Sequence, residues 1–150
     1  MDAIIFDMDG TLCDVSSIRH YVTGDRKDFR AFHEASRFMP TIGMVEDAAR
    51  RAAARGFRVL VVTARDARFE RATRDFLVRH AIPCDALFMR PWGDTRRDTL
   101  VKADILATIR DLGYRPVLAY DDREDIAGVW TDAGIPTVLI DSNDAPGKVA

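Results

Sequence analysis

Two carboxylates stand two residues apart in Asp7-Met8-Asp9-Gly10-Thr11, at the end of the apolar run Ala3-Ile4-Ile5-Phe6. A second acid pair, Asp121-Asp122, follows the apolar run Val117-Leu118-Ala119-Tyr120. Acids gathered at one mouth repel unless a cation joins them. Oxygen ligands without a His or Cys cluster favour Mg²⁺ over zinc. Gly10 permits close backbone approach, and its neighbouring N–H groups suit an anion. Thr63 adds a hydroxyl, and Lys102 adds a point charge fitted to phosphate. The set reads as a Mg²⁺-phosphate site with an aspartate as nucleophile.

Elements must bring these residues together. Ala3–Phe6, Arg58–Thr63, Ala86–Met89, Val117–Tyr120 and Thr137–Ile140 read as five short, continuously apolar strands. Between them run helical stripes: Met44 to Arg55, stopped by Gly56; Phe69, Ala72, Phe76 and Leu77; Leu100 to Leu112, closed by Gly113; and Ile126 to Ala133. Strands alternating with helices predict an α/β fold, a five-stranded parallel sheet covered on both faces. Ligands in such folds bind beyond the carboxyl ends of the strands, where the two acid pairs and Thr63 lie. Residues from about 13 to 40 read as a small helical insertion, and the polar tail from Asp141 is expected to fray.

The chain has 150 residues, so residues 1–150 form one domain with that insertion. A hydrophobic content of 47% and a charged content of 31% fit a globular protein and exclude wholesale disorder. The net charge of -2 gives no global basic field. Cys13 and Cys84 make no disulfide framework, which points to a reducing, cytoplasmic setting. No apolar run reaches membrane-spanning length, and no basic leader precedes an apolar stretch.

D-M-D-G-T, the strand-end Thr63, Lys102 and Asp121-Asp122 resemble, in order, the four motifs of the haloacid dehalogenase (HAD) phosphatase superfamily. F-M-R-P-W-G-D-T-R-R-D-T-L-V-K, L-A-Y-D-D-R and G-V-W-T-D-A-G-I-P look like the phosphatase domain of phage-type polynucleotide kinase-phosphatase, as does T-A-R after G-F-R-V-L-V-V. That likeness covers roughly residues 40–140 and the first motif; residues 13–40 match far less. The sequence contains no G-x-x-x-x-G-K-[ST] loop, so it holds no ATP-binding kinase half.

The resemblance implies roles. Asp7 attacks phosphorus and forms an aspartyl-phosphate. Asp9 protonates the leaving oxygen, then activates water, and its backbone carbonyl joins the metal site. Asp7, Asp9, Asp121 and Asp122 are the implied metal residues. Gly10, Thr11 and Thr63 meet the phosphate, and Lys102 neutralises its growing charge. Arg65, Arg90 and Asp98 fall among functional residues: either arginine is expected to grip a phosphate, while Asp98, four residues before Lys102, is spaced to orient a basic partner. Arg19, Arg96 and Arg97 are weaker candidates. His20, His33 and His80 have no metal spacing and are read as surface or packing residues. Trp92 is read as a base-stacking ring or a loop anchor, and Trp130 as core.

The expected activity is Mg²⁺-dependent removal of a 3′-phosphate, or a 2′,3′-cyclic phosphate, from a nucleic-acid end. Two alternatives stand beside it: a phosphatase of mononucleotides or small metabolites, and a catalytically silent phosphate-binding or partner module. A basic track through Arg65, Arg90, Arg96 and Arg97 would separate the first two.

Overall fold

The computed structural model describes residues 1–141. The fraying expected of the tail therefore falls on residues 142–150, outside the described part. The strands are β1 (Asp2–Phe6), β2 (Arg58–Asp66), β3 (Ala86–Arg90), β4 (Arg115–Asp121) and β5 (Thr137–Leu139). The helices are α1 (Phe29–Ser36), α2 (Gly43–Ala54), α3 (Glu70–Arg79), α4 (Asp98–Asp111) and α5 (Glu124–Asp132).

All strand pairs are parallel, in the order β3-β2-β1-β4-β5. The chain builds outward from β1 through β2 to β3, then crosses to the other side for β4 and β5. That reversal opens a crevice at the carboxyl end of β1.

Alternation along the strands divides the core in two. Ile4, Phe6, Val59 and Val61 face Val45, Ala49, Phe76 and Leu77 of α2 and α3. Ala3, Ile5, Leu60 and Val62 face Val101, Ile105, Ile109, Ile126 and Trp130 of α4 and α5. Trp130 is core, as expected.

Two differences from the sequence expectation bear on the site. First, β2 continues through Thr63 to Asp66, and its pairing with β3 shifts register between Val62 and Asp66. The apolar run ends at Val62, but the extended path continues and Thr63 and Arg65 stay buried on it. Second, the small helical insertion from 13 to 40 holds one α-helix and a 3-10 turn, Arg19–Tyr21, and packs into the core. Val15, Ile18 and Phe32 join the cluster beneath β1, and Cys13 bridges both Asp9 and Thr41. The Asp28 carboxylate caps α1 by accepting from the Ala31 N–H at 2.9 Å.

Candidate active site

Register sets the first contact. Phe6 pairs with Tyr120, their rings stack at 4.8 Å, and the Asp7 N–H donates to the Tyr120 carbonyl at 3.1 Å. Asp7 and Asp121 thus leave adjacent strands side by side. Lys102 reaches in from α4, is only 3% exposed, and donates from Nζ to Asp7 Oδ1 at 3.0 Å and Asp121 Oδ2 at 2.9 Å. Burial works against the ammonium, yet the two carboxylates push its pKa up. Burial and then Asp121 hold the Asp7 carboxyl well above the usual range, against the pull of Lys102. Burial likewise raises Asp122, with Asp121 adding to it.

The turn after β1 holds Asp122 close. Gly10 has φ +80°, and a Cβ there would lie 2.2 Å from Asp122 Oδ2. The Thr11 hydroxyl lies 3.3 Å from both Asp7 Oδ2 and Asp122 Oδ1. The amides do not match the anion-binding expectation. Gly10 N–H donates to the Cys13 carbonyl at 2.9 Å, and Thr11 N–H to the Met8 carbonyl at 3.1 Å. The tight turn consumes them, so the need for glycine is conformational and steric. Thr63 is buried, and its Oγ1 accepts from the Arg65 N–H at 3.2 Å.

Arg65 is turned inward. It donates from Nη2 to Asp9 Oδ1 at 2.5 Å, from Nε to Asp9 Oδ2 at 3.0 Å, and from Nη1 to Thr73 Oγ1 at 3.0 Å. Burial tends to raise the Asp9 carboxyl, but the Arg65 guanidinium outweighs it and holds the pKa below the usual range. Arg65, expected to grip a phosphate, is here paired with Asp9 at the cavity wall.

Arg90 is also committed to protein. It donates from Nε to the Ala64 carbonyl at 2.9 Å and from Nη1 to the Asp94 and Arg96 carbonyls at 3.0 and 2.5 Å, and it pairs with Asp98. It fastens the end of β2 to the loop before α4. Asp98 joins Arg90 to Arg123 and does not hold Lys102. One helical turn does separate Asp98 from Lys102, but two deeper carboxylates draw the lysine inward.

A cavity of about 690 Å³ opens over Asp7 and Asp9. Of the four arginines proposed as a basic track, Arg65, Arg90 and Arg96 line this cavity, with Arg65 paired to Asp9, Arg90 bonded to the Ala64 carbonyl and Arg96 paired to Asp94 and Asp104, while Arg97 lies outside the lining. Arg19, Arg68 and Arg123 line the cavity as well. The sequence reading overlooked Arg68, Phe69 and the cavity role of His33. His33 is a packing residue, 5% exposed, with its ring 4.3 Å from that of Phe69. Burial, then the Arg65 charge, brings its pKa down to about 4. The pairing of Phe32-His33 on a short amphipathic helix was the available signal, but it gave no direction toward the site.

The residues present fit a hard cation. One oxygen from each of Asp7, Asp121 and Asp122 lies within 4.8 Å of the others, and burial together with the neighbouring Asp121 carboxylate raises the pKa values of Asp7 and Asp122. An all-oxygen set of this kind suits Mg²⁺. The Asp9 carboxylate faces Arg65 and stands outside that cluster, leaving its backbone carbonyl for any metal role.

The family model of the polynucleotide kinase PNKP phosphatase domain matches residues 1–144. The chain belongs to this family. It is a HAD phosphatase domain of the polynucleotide kinase-phosphatase type. A protein of Autographa californica nuclear polyhedrosis virus, named for polynucleotide kinase and RNA ligase activities, is 30% identical over 82 residues, which are 54% of this chain and 12% of the viral protein. Among solved structures, a chain of the Pnkp1/Rnl/Hen1 RNA repair complex superposes with a TM-score of 0.80 at 22% identity, covering 93% of this chain and 42% of that one. The D,D-heptose 1.7-bisphosphate phosphatase of B. bronchiseptica gives 0.61 at 22% identity, covering 93% and 80%. At these identities the likeness is one of fold. The chain thus spans under half of the repair-complex chain and about an eighth of the viral protein. Among the described residues, no helix is long and apolar enough to cross a membrane.

Proposed function

We propose that this phosphatase domain is a Mg²⁺-dependent phosphomonoesterase that removes the 3′-phosphate from nucleic-acid ends in the cytoplasm. The observation that carries the chemistry is Lys102 Nζ held between Asp7 and Asp121, beside Asp122. Membership of the PNKP phosphatase family carries the substrate class.

Asp7 Oδ attacks phosphorus as the bond to the leaving oxygen breaks, giving an aspartyl-phosphate. Asp9 delivers a proton to that oxygen, then takes one from the water that releases Asp7. Arg65 keeps Asp9 ionised in the free protein, which suits the second half of the cycle. The phosphate dianion, on arriving, raises the Asp9 pKa and so favours the protonated form that the first half needs. Lys102 aligns Asp7 and opposes the rise in its pKa, and Thr63 orients phosphate oxygens. Asp7, Asp121, Asp122 and the Asp9 carbonyl would hold Mg²⁺, which would draw charge from the phosphate oxygens.

The test is hydrolysis of a 3′-phosphorylated oligonucleotide, a 5′-phosphorylated one and free mononucleotides, with and without Mg²⁺. Preference for the 3′-phosphorylated oligonucleotide, lost in Asp7→Asn, is expected. Preference for free nucleotides would overturn the substrate assignment, and equal rates for wild type and Asp7→Asn would overturn the chemistry.

A further inference from the structure

The turn after β3 presents an aromatic ring that neither the core nor the phosphate chemistry uses. Trp92 is 74% exposed, whereas the other tryptophan, Trp130, is fully buried. The ring nevertheless has a cationic neighbour. The Arg68 guanidinium lies 5.8 Å from the Trp92 ring and 5.5 Å from that of Phe69. Asp66 ties the group together: Oδ2 accepts from the Gly93 N–H at 3.3 Å and from Arg68 Nη2 at 3.2 Å, while Oδ1 accepts from the Arg68 N–H at 2.9 Å. Gly93, at φ +81°, makes the turn that places Trp92 there.

Asp66, Arg68 and Phe69 line the same cavity as Asp7 and Asp9. Its volume of about 690 Å³ falls among pockets that enclose whole small ligands, roughly 300–1,000 Å³, and exceeds what a phosphate alone requires. The cations Arg19, Arg68 and Arg123 line this cavity, and Arg68 carries it on to the Trp92 ring just outside the lining. Flat rings and fixed cations together recognise a polyanion that carries aromatic bases.

We propose that Trp92, braced by Arg68 and Phe69, is the stacking platform for the terminal nucleobase of a polynucleotide whose 3′-phosphate lies over Asp7. This rests on the polynucleotide reading above. Every base offers a π-face, so the platform holds the end without selecting a sequence.

Two oligonucleotides test it, both 3′-phosphorylated, one ending in a normal nucleoside and one in an abasic sugar. In wild type, KM is lower for the base-bearing end. Trp92→Ala raises that KM about 5- to 150-fold, the range of lost base stacking, with kcat close to wild type. The KM difference between the two oligonucleotides then collapses, and Trp92→Phe restores most of it. With Trp130 buried, quenching of tryptophan fluorescence by the base-bearing oligonucleotide in the Asp7→Asn background gives a second reading without turnover. Unchanged KM and quenching in Trp92→Ala, with wild type still active on both ends, removes the platform alone. Wild type that hydrolyses an aryl phosphate but spares both oligonucleotides removes the polynucleotide reading, and the platform with it.

Discussion

The Arg65 guanidinium spans the Asp9 carboxylate, meeting Oδ1 at 2.5 Å and Oδ2 at 3.0 Å, with only 1% of the arginine side chain exposed. A planar fork gripping both oxygens fixes the direction of the carboxylate as well as its charge. Asp9, proposed to move protons, is therefore set in place by β2, while Asp7, the proposed nucleophile, is set by α4 through Lys102.

Arg65→Lys should retain a charge and lose the fork. Asp9 then drifts from its direction, and its pKa rises back toward the usual range. Turnover is expected to fall about 10- to 100-fold, within what a misplaced general acid–base costs. The acidic limb of the pH–rate profile should move to higher pH. An unchanged profile would mean that Arg65 does not govern Asp9.

Asp7, Asp121 and Asp122 leave negative charge without full compensation, so a divalent cation should stabilise the fold. At a hundredfold excess over Kd the gain is about 2.7 kcal/mol. Thermal unfolding with and without Mg²⁺ should show Tm rising for wild type and much less for Asp122→Ala. Equal shifts would place the cation elsewhere.

Gly10→Ala puts a Cβ where the Asp122 carboxylate now lies and forces a side chain onto a φ of +80°. The backbone strain alone costs about 1–2 kcal/mol. Tm should fall and Mg²⁺-dependent hydrolysis should drop steeply, because Asp122 must move. Measuring the Mg²⁺ concentration for half-maximal rate separates the two effects; it should rise.

His33 is neutral in the folded protein, with a pKa of about 4 against 6.5 when exposed. Above pH 6.5 this costs nothing. As pH falls from about 6.5 toward 4, the unfolded chain takes up a proton that the folded one resists, and stability declines. The full difference is about 3 kcal/mol. Denaturant unfolding of wild type and His33→Gln at pH 7 and pH 4.5 should show wild type losing more over that interval. Parallel losses would mean that the ring is not so shielded.

The strand and helix alternation was legible because apolar runs and helical stripes are local patterns. Ile4, Phe6, Val59 and Val61 fall on one face of the sheet by period alone, and Trp130 fell in the core for the same kind of reason. Ala64 to Asp66 were harder: the apolar run has ended, so nothing in their sequence separates extended strand from loop. Residues 13–40 read as a small helical insertion, but no clean period in their mixed sequence showed that Val15, Ile18 and Phe32 join the core.

By itself, the sequence determined the kind of chemistry: two acid pairs, a threonine and a scarce lysine at the ends of apolar strands leave little besides a cation and a phosphate. What only the tertiary structure decided is which charge answers which. Spacing along one helix favoured Asp98 for Lys102, and proximity to a phosphate site favoured Arg65 and Arg90 for substrate. In the fold, Lys102 lies between Asp7 and Asp121, Arg65 holds Asp9, and Arg90 and Arg123 share Asp98. Ion pairs depend on distance and burial in three dimensions, and strand order brings together residues that lie 56 to 95 positions apart along the chain.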